Sequence, residues 1–463
     1  MIDFLLAIFL WLISFLLYSM NNHYWLLCKK ACLRTSSNSF YIDLVFQIFR
    51  FRIILFYILP SVTRFVFNWE NDKLDHVTSM EISVVYLLEL LSHFIYYLSF
   101  LFLLKKNKYD LSLEYKCNAI LNYIVLACLL LYCYFSITGF NLFADEEAPS
   151  DSLWIIRPLI MAVGSVMCFY VLVLGTKYWK KSIVFVSFFS VILYLILSFF
   201  SGVRGKVFWP ILWMIFCVCY FRKDQIKRYL YFGAVILVIL AIFQGGMTAF
   251  RSGEASDVKE IIDGISSAKD KSERTLYKEI DYRFGSLTRY SVGFLRMAER
   301  GYYAGLNPIL NSLYSPIPRV IMPDKPVPCS VDGELHGMGM YLCVSEITKG
   351  ESLSMVEFST ASHAYWELGI IGLLLFSFIP SLYVYLSILF FRRMDLLGPC
   401  FLFAIFKPWG YNDPKIWVSE IIMQIPQLYL GSYCFIFIYR RLSKIKKTMG
   451  CSQLERQRKM LCR

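Results

Sequence analysis

Runs of about 20 consecutive apolar residues recur along this chain, each long enough to cross about 30 Å of hydrocarbon. Backbone polar groups in lipid must be satisfied within the segment, so such runs fold as helices. The candidate spans are 2–20, 41–66, 80–104, 117–139, 153–176, 182–201, 207–221, 229–246, 360–391, 396–409 and 417–439. They imply an all-α fold, a polytopic transmembrane helical bundle of about 11 spans. Composition agrees: 57% of residues are hydrophobic and 17% charged, against about 45–50% and about 25% in soluble globular chains. A soluble multidomain protein is excluded. The first run, Ile2 to Ser19, lacks a basic start and an A-x-A cleavage site, so it is expected to be a retained span rather than a signal peptide.

The formal net charge of +13 would suit a nucleic-acid partner if it were spread over one face. Instead, 25 of the 47 Lys and Arg fall in six short segments that alternate with acidic or neutral ones. These are Lys29 to Arg34, Lys105 to Lys116, Lys177 to Lys181, Arg222 to Arg228, Arg392 with Arg393, and the tail from Arg440. That is the positive-inside pattern of a multi-span protein, and no nucleic-acid partner is expected. It places the basic tail 440–463 in the cytoplasm and the N-terminus outside. Residues 1–245 then form a bundle of spans 1–8, and 360–439 form spans 9–11. Arg50 and Arg52 fall inside the second window. Two readings remain there: a span from residue 41, or one starting near Arg52 after an interfacial approach.

Residues 246–359 are left as one large outer loop, with 13 Lys or Arg and 15 Asp or Glu. So long a loop without structure of its own would be unusual. Asp270 and Glu273 resemble a capping box. Tyr277, Ile280, Phe284, Leu287, Ser291, Phe294 and Ala298 then recur at the spacing of an amphipathic helix, expected over about 271–300 and stopped by Gly301. This helix is expected on the outer membrane surface or packed over the bundle. Residues 315–328 follow, with five prolines in fourteen positions, and read as a stiff extended turn. Of the 14 cysteines only Cys329 and Cys343 lie in this loop, as a disulfide or as two free thiols.

No nucleotide-binding glycine loop, D-x-D acid pair or nucleophile elbow is present, so neither a metal nor a cofactor is expected. What stands out is a set of cations at the outer surface: Arg204, Arg251, Arg283, Arg289, Arg296, Arg319 and Lys325. Guanidinium binds phosphate oxygens bidentately and stays charged, which suits a metal-free diphosphate site. Glycines flank Arg204 and prolines flank Arg319, constraining the backbone under each. The competing reading is that such arginines snorkel to headgroups or form surface ion pairs. The segment Ser359 to Gly372 then returns the chain to the membrane. On it His363 and Glu367 are i, i+4 on one helical face, with Glu367 one turn deeper, and ionisable residues at such a place are functional candidates. The alternative is a pair that only fixes helix packing. Gly369 and Gly372 are expected to permit close packing rather than to bind a ligand.

The Gly-Val-Arg-Gly element (Gly202 to Gly205), the Ile-Pro-Arg-x-Ile-x-Pro-x-Lys-Pro run (Ile317 to Pro326) and the Trp-Glu-Leu-Gly-Ile-Ile-Gly return (Trp366 to Gly372) resemble those of bacterial O-antigen polymerases of the Wzy type. The His363 to Tyr365 step is similar to an element of the related O-antigen ligases, and the likeness covers mainly residues 200–375. The resemblance implies a glycosyltransferase of the bacterial inner membrane. It would polymerise undecaprenyl-diphosphate-linked oligosaccharide repeat units at the periplasmic face into a surface polysaccharide. His363 and Glu367 would be catalytic, and Arg204, Arg251, Arg283, Arg289, Arg319 and Lys325 would bind the diphosphate substrate. Membrane lipid, a chain-length regulator and a flippase of the same pathway are the other implied partners. A ligase or a lipid-linked oligosaccharide flippase are the alternative readings.

Overall fold

Apolar length decides the local structure, and polar side chains decide where the helices meet. The structure, a computed structural model, describes residues 2–34, 39–62, 77–106, 285–306, 322 and 359–392, all within one compact unit. Among the described residues every regular element is helical: α1 (Ile2–Cys32), α2 (Phe40–Ile53), α3 (Ser79–Lys105), α4 (Ser286–Glu299) and α5 (Thr360–Phe391). Segments Leu5–Cys32, Ser79–Lys105 and Thr360–Phe390 are long and apolar enough to cross a bilayer. The spans expected between 117 and 246 and between 396 and 439 lie outside the described residues, as do 271–284, the proline-rich turn and both loop cysteines.

Helix α3 starts on a capping box. The Thr78 N–H donates to the Glu81 carboxylate (2.8 Å) and the Glu81 N–H donates to the Thr78 hydroxyl (3.3 Å). At 27 residues α3 is about 40 Å long. Helix α1 runs parallel to it: Asn21 accepts from the Tyr97 hydroxyl at 2.8 Å, and Leu16 and Met20 line a groove with Leu87 and Leu91. Helix α2 runs antiparallel to both. Its early residue Asp43 meets Trp25 and Lys29, while Tyr57 and Ser61 meet Ser14. Against α3, the same helix places Phe46 by Phe100, Phe49 by Tyr96 and Tyr57 by Tyr86, with ring centroids 4.7–6.2 Å apart.

The arginines of α2 do not delay the start of the helix. The helix begins at Phe40, and Phe40 to Phe46 are already buried in the bundle. Arg50 donates to Asn22 (2.6 Å) and Gln47 (3.1 Å) and lies over the Trp25 ring, while Arg52 is buried. The helix itself is continuous from Phe40, with no break before Arg52. Asn22 and the Trp25 ring of α1 replace the water Arg50 would otherwise need, and Arg52 has the Glu89 carboxylate of α3 near it. Beyond Ile53 the helix runs on through one π-turn, Ile54–Ile58.

Of the two expected places for helix α4, on the membrane surface or packed over the bundle, the packing is that of the second. Leu287, Val292 and Leu295 pack with Val77, Ile82, Val85 and Tyr86, while Phe294 and Ala298 pack on Trp366. Both of its faces are covered, because α3 lies on one side and the start of α5 on the other. It ends at Gly301, whose φ is 81°. There the Gly301 and Tyr302 N–H groups bond the Ala298 and Met297 carbonyls, a Schellman stop.

Helix α5 is not one straight rod. The Ser359 hydroxyl donates to Glu89, and the Ser377 hydroxyl donates to Ser92 at 2.8 Å. On a straight helix those two serines would sit about 27 Å apart, whereas Glu89 and Ser92 are about 5 Å apart along α3. The chain therefore folds back, and it does so at Leu368 (φ −139°, ψ 21°) and Gly369 (φ 61°, ψ −140°). A short arm, 360–367, runs toward the Thr78 end of α3. A long arm, 370–391, runs the other way, parallel to α3, and its 22 residues reach about 33 Å. The ninth span expected from residue 360 is thus carried by the long arm alone. Of the two glycines only Gly372 permits close packing, of α5 against itself: a Cβ there would collide with the Ala364 carbonyl, whereas Gly369 faces open space and supplies the positive φ of the turn.

The fold-back carries a test. Gly369 holds a backbone conformation that side chains disfavour by about 1–3 kcal/mol. The Gly369→Ala chain should melt measurably lower than the parent in detergent, at unchanged helix content. An unaltered melting temperature would rule out the turn at this residue.

Candidate functional site

The short arm of α5 is built to hold two polar side chains in an apolar setting. Its N-cap is Ser359, whose hydroxyl accepts from the Ser362 N–H at 3.2 Å. Its last carbonyls, of Trp366 and Glu367, accept from the N–H groups of Ala304 (3.3 Å) and Gly305 (2.9 Å), just past the end of α4. Each end of this eight-residue helical arm thus has protein partners for some of its free backbone groups.

His363 and Glu367 are each fully buried, with Nδ1 and Oε1 3.5 Å apart. The imidazole is flanked edge-on by Phe294 at 4.9 Å and Trp366 at 5.4 Å. The i, i+4 spacing thus does bring the pair together. Their relative depth is reversed, however. Since the short arm runs toward the Thr78 end of α3, Glu367 is nearer that end and His363 lies toward the bundle interior. The fold-back at Gly369 is the physical reason, a backbone reversal that helical period does not foresee. A carboxylate against Nδ1 favours one tautomer and stabilises the imidazolium, so the arrangement can take up and return a proton at Nε2.

The cations separate into three groups. Arg296 is held bidentately by Glu81, with Nε to Oε1 at 2.6 Å and Nη2 to Oε2 at 3.0 Å. It is the surface ion pair of the competing reading, tying α4 to the capping box of α3. Arg289 is buried, only 7% exposed, and two turns further into the bundle. It was expected among the cations of the outer surface, and it is covered by protein because α4 packs against both α3 and α5. Arg204, Arg251, Arg283, Arg319 and Lys325 lie outside the described residues.

Sequence reasoning passed over a second pair. Glu89 and His93 are i, i+4 on α3 and both buried, with Oε2 and Nδ1 3.2 Å apart; Nδ1 also lies 2.8 Å from the Glu89 carbonyl. The Arg52 guanidinium of α2 adds its charge beside Glu89, and Phe49, Tyr57 and Tyr97 surround the ring. The signal was present, since α3 is an apolar span carrying a Glu-x-x-x-His step, and intramembrane ionisable residues mark candidate sites by default. No family model matches the chain, and neither a curated protein nor a solved structure matches it.

Proposed function

We propose that this chain is a glycosyltransferase that polymerises lipid-linked oligosaccharide repeat units. It would work at the periplasmic face of the bacterial inner membrane, in a bundle of about 11 spans. The observation that carries this reading is the His363–Glu367 pair, buried on an arm that returns from the large loop and folds back into an apolar bundle. The Gly202 to Gly205 and Ile317 to Pro326 elements support the choice of substrate class.

In this reading a hydroxyl of the acceptor repeat unit attacks the anomeric carbon of the donor glycan. Its oxygen forms the new glycosidic bond, its proton passes to His363, and the bond from the anomeric carbon to the diphosphate oxygen breaks. Undecaprenyl diphosphate leaves with the bonding pair. Preorganised cations lower the barrier where that charge develops, a role for Arg204, Arg251, Arg283, Arg289, Arg319 and Lys325. Glu367 holds the imidazole and offsets its positive charge. The parallel course of α1, α3 and the long arm of α5, with α2 antiparallel, supports the alternation of spans read from the basic segments.

A transporter of lipid-linked oligosaccharide is the second reading, favoured by the broken helix α5 and the buried Arg52, Glu89 and His93. Cells lacking the chain separate the possibilities. Loss of a polymerase leaves surface lipid bearing single repeat units, and the ladder of longer glycans returns with the gene. Loss of a ligase leaves polymer on the lipid carrier, and loss of a transporter leaves no repeat unit on the outer face. Either of the last two patterns would overturn the proposal.

A further inference from the structure

A carboxylate in the apolar middle of a membrane helix is costly unless its charge and lone pairs are met. Glu89 lies about 15 Å along α3 from Ser79 and is 2% exposed. His93 Nδ1 lies 3.2 Å from its Oε2, the Ser359 hydroxyl donates to it, and the Arg52 guanidinium is near enough to add its charge. His93 is on α3 and Arg52 on the helix packed against it, so these two hold the carboxylate in place by themselves. Ser359 comes from the far side, where the loop returns to the bundle.

Ser359 is a junction. Its hydroxyl donates to Glu89 and accepts from the Ser362 N–H, and its own N–H donates to the Ser291 hydroxyl of α4 at 2.6 Å. Ser291 in turn donates to the Leu287 carbonyl at 2.6 Å, and the Ser359 carbonyl accepts from the His363 N–H at 3.1 Å. One residue therefore joins α3, α4 and the short arm, and His363 begins one turn beyond it.

We propose that Glu89 is the positioning residue of the candidate site: through Ser359 it fixes how far the short arm inserts, and so where His363 sits against Phe294 and Trp366. This rests on reading His363 and Glu367 as the reacting pair. The other end of the arm is tied by backbone N–H groups of Ala304 and Gly305, which side-chain replacement leaves in place. The Glu89 end is tied through side chains, so there the identity of single residues controls the arm. Reach is the decisive property. Aspartate keeps the charge that Arg52 and His93 meet but is shorter by one carbon–carbon bond, about 1.5 Å. Glutamine keeps the reach and an acceptor oxygen but gives up the charge.

The test uses the full-length chain in membranes with Ser362→Cys as reporter, since Ser362 is fully buried and its hydroxyl has no hydrogen-bond partner. Labelling by a small maleimide is measured against the same chain without that substitution, which accounts for the native cysteines. The reporter should label slowly in the parent and in Glu89→Gln and Ser359→Thr. Glu89→Ala, Glu89→Asp and Ser359→Ala should each speed labelling about tenfold or more, as expected for loss of a hydrogen bond to a charged group. The glycan ladder should weaken in the same order. Protection in Glu89→Asp with exposure in Glu89→Gln would overturn the inference, because charge and not reach would then hold the arm. So would unchanged labelling in Glu89→Ala and Ser359→Ala. Should labelling follow the expected order while even the parent makes no polymer, the positioning role stands and the proposed function falls.

Discussion

Replacing His363 by alanine should leave only single repeat units on the surface lipid. General-base assistance is typically worth about 10²–10⁴ in rate, which corresponds to about 3–5 kcal/mol of barrier. Loss on that scale removes a ladder whose every rung needs another transfer. The imidazole is fully buried between Phe294 and Trp366, so polymer must be compared at equal amounts of inserted protein. His363→Gln separates two roles, because glutamine keeps hydrogen bonding but accepts no proton at neutral pH. Loss in both variants identifies the base, and recovery in the glutamine variant identifies orientation of the acceptor. A normal ladder from His363→Ala at normal protein level would make the histidine a packing residue and remove the observation on which the proposed function rests.

Arg204→Ala and Arg319→Ala should each abolish polymer while leaving protein level and insertion intact. Glycines beside Arg204 let the backbone approach a ligand closely, and prolines beside Arg319 stiffen the chain under it. Arg→Lys should rescue poorly at both positions, since lysine keeps the charge but loses the planar fork that grips two phosphate oxygens. The fate of Arg296 sharpens this prediction. Its guanidinium is engaged by Glu81 at 2.6 and 3.0 Å, so Arg296→Ala is expected to loosen α4 rather than to strike the diphosphate. Normal ladders from both Arg204→Ala and Arg319→Ala would return them to headgroup snorkelling and leave the developing charge without its proposed partners.

Several features were legible before any coordinates. Helices α1 and α3 follow from apolar runs, since a backbone in lipid must close its own hydrogen bonds and a 20-residue run has only one way to do so. Gly301 stops α4 in a left-handed turn because an amphipathic pattern ends there on a residue without a Cβ. The pairing of His363 with Glu367 followed from helical period alone. Helix α4 was legible as a helix, but not which of its two expected places it takes. Its alternation of Leu287, Thr288, Arg289, Ser291 and Phe294 suits a membrane surface as well as a bundle, and the cover of both faces by α3 and α5 decides it.

Local chemistry along the chain thus determined the class of this protein: helical, with helices long and apolar enough to cross a bilayer, and with a histidine–carboxylate pair one turn apart. Tertiary structure alone decided where that pair faces. The reversal at Gly369 turns the short arm back on itself, and hydropathy cannot register it because a positive-φ turn is a property of the backbone, which a sum of side-chain polarities does not carry. Nor can any window along the chain join Glu89 to Ser359, which are 270 residues apart and meet only when the loop returns to the bundle. An ionisable group in an apolar helix announces that it needs a partner, and only the packed chain shows which one it found.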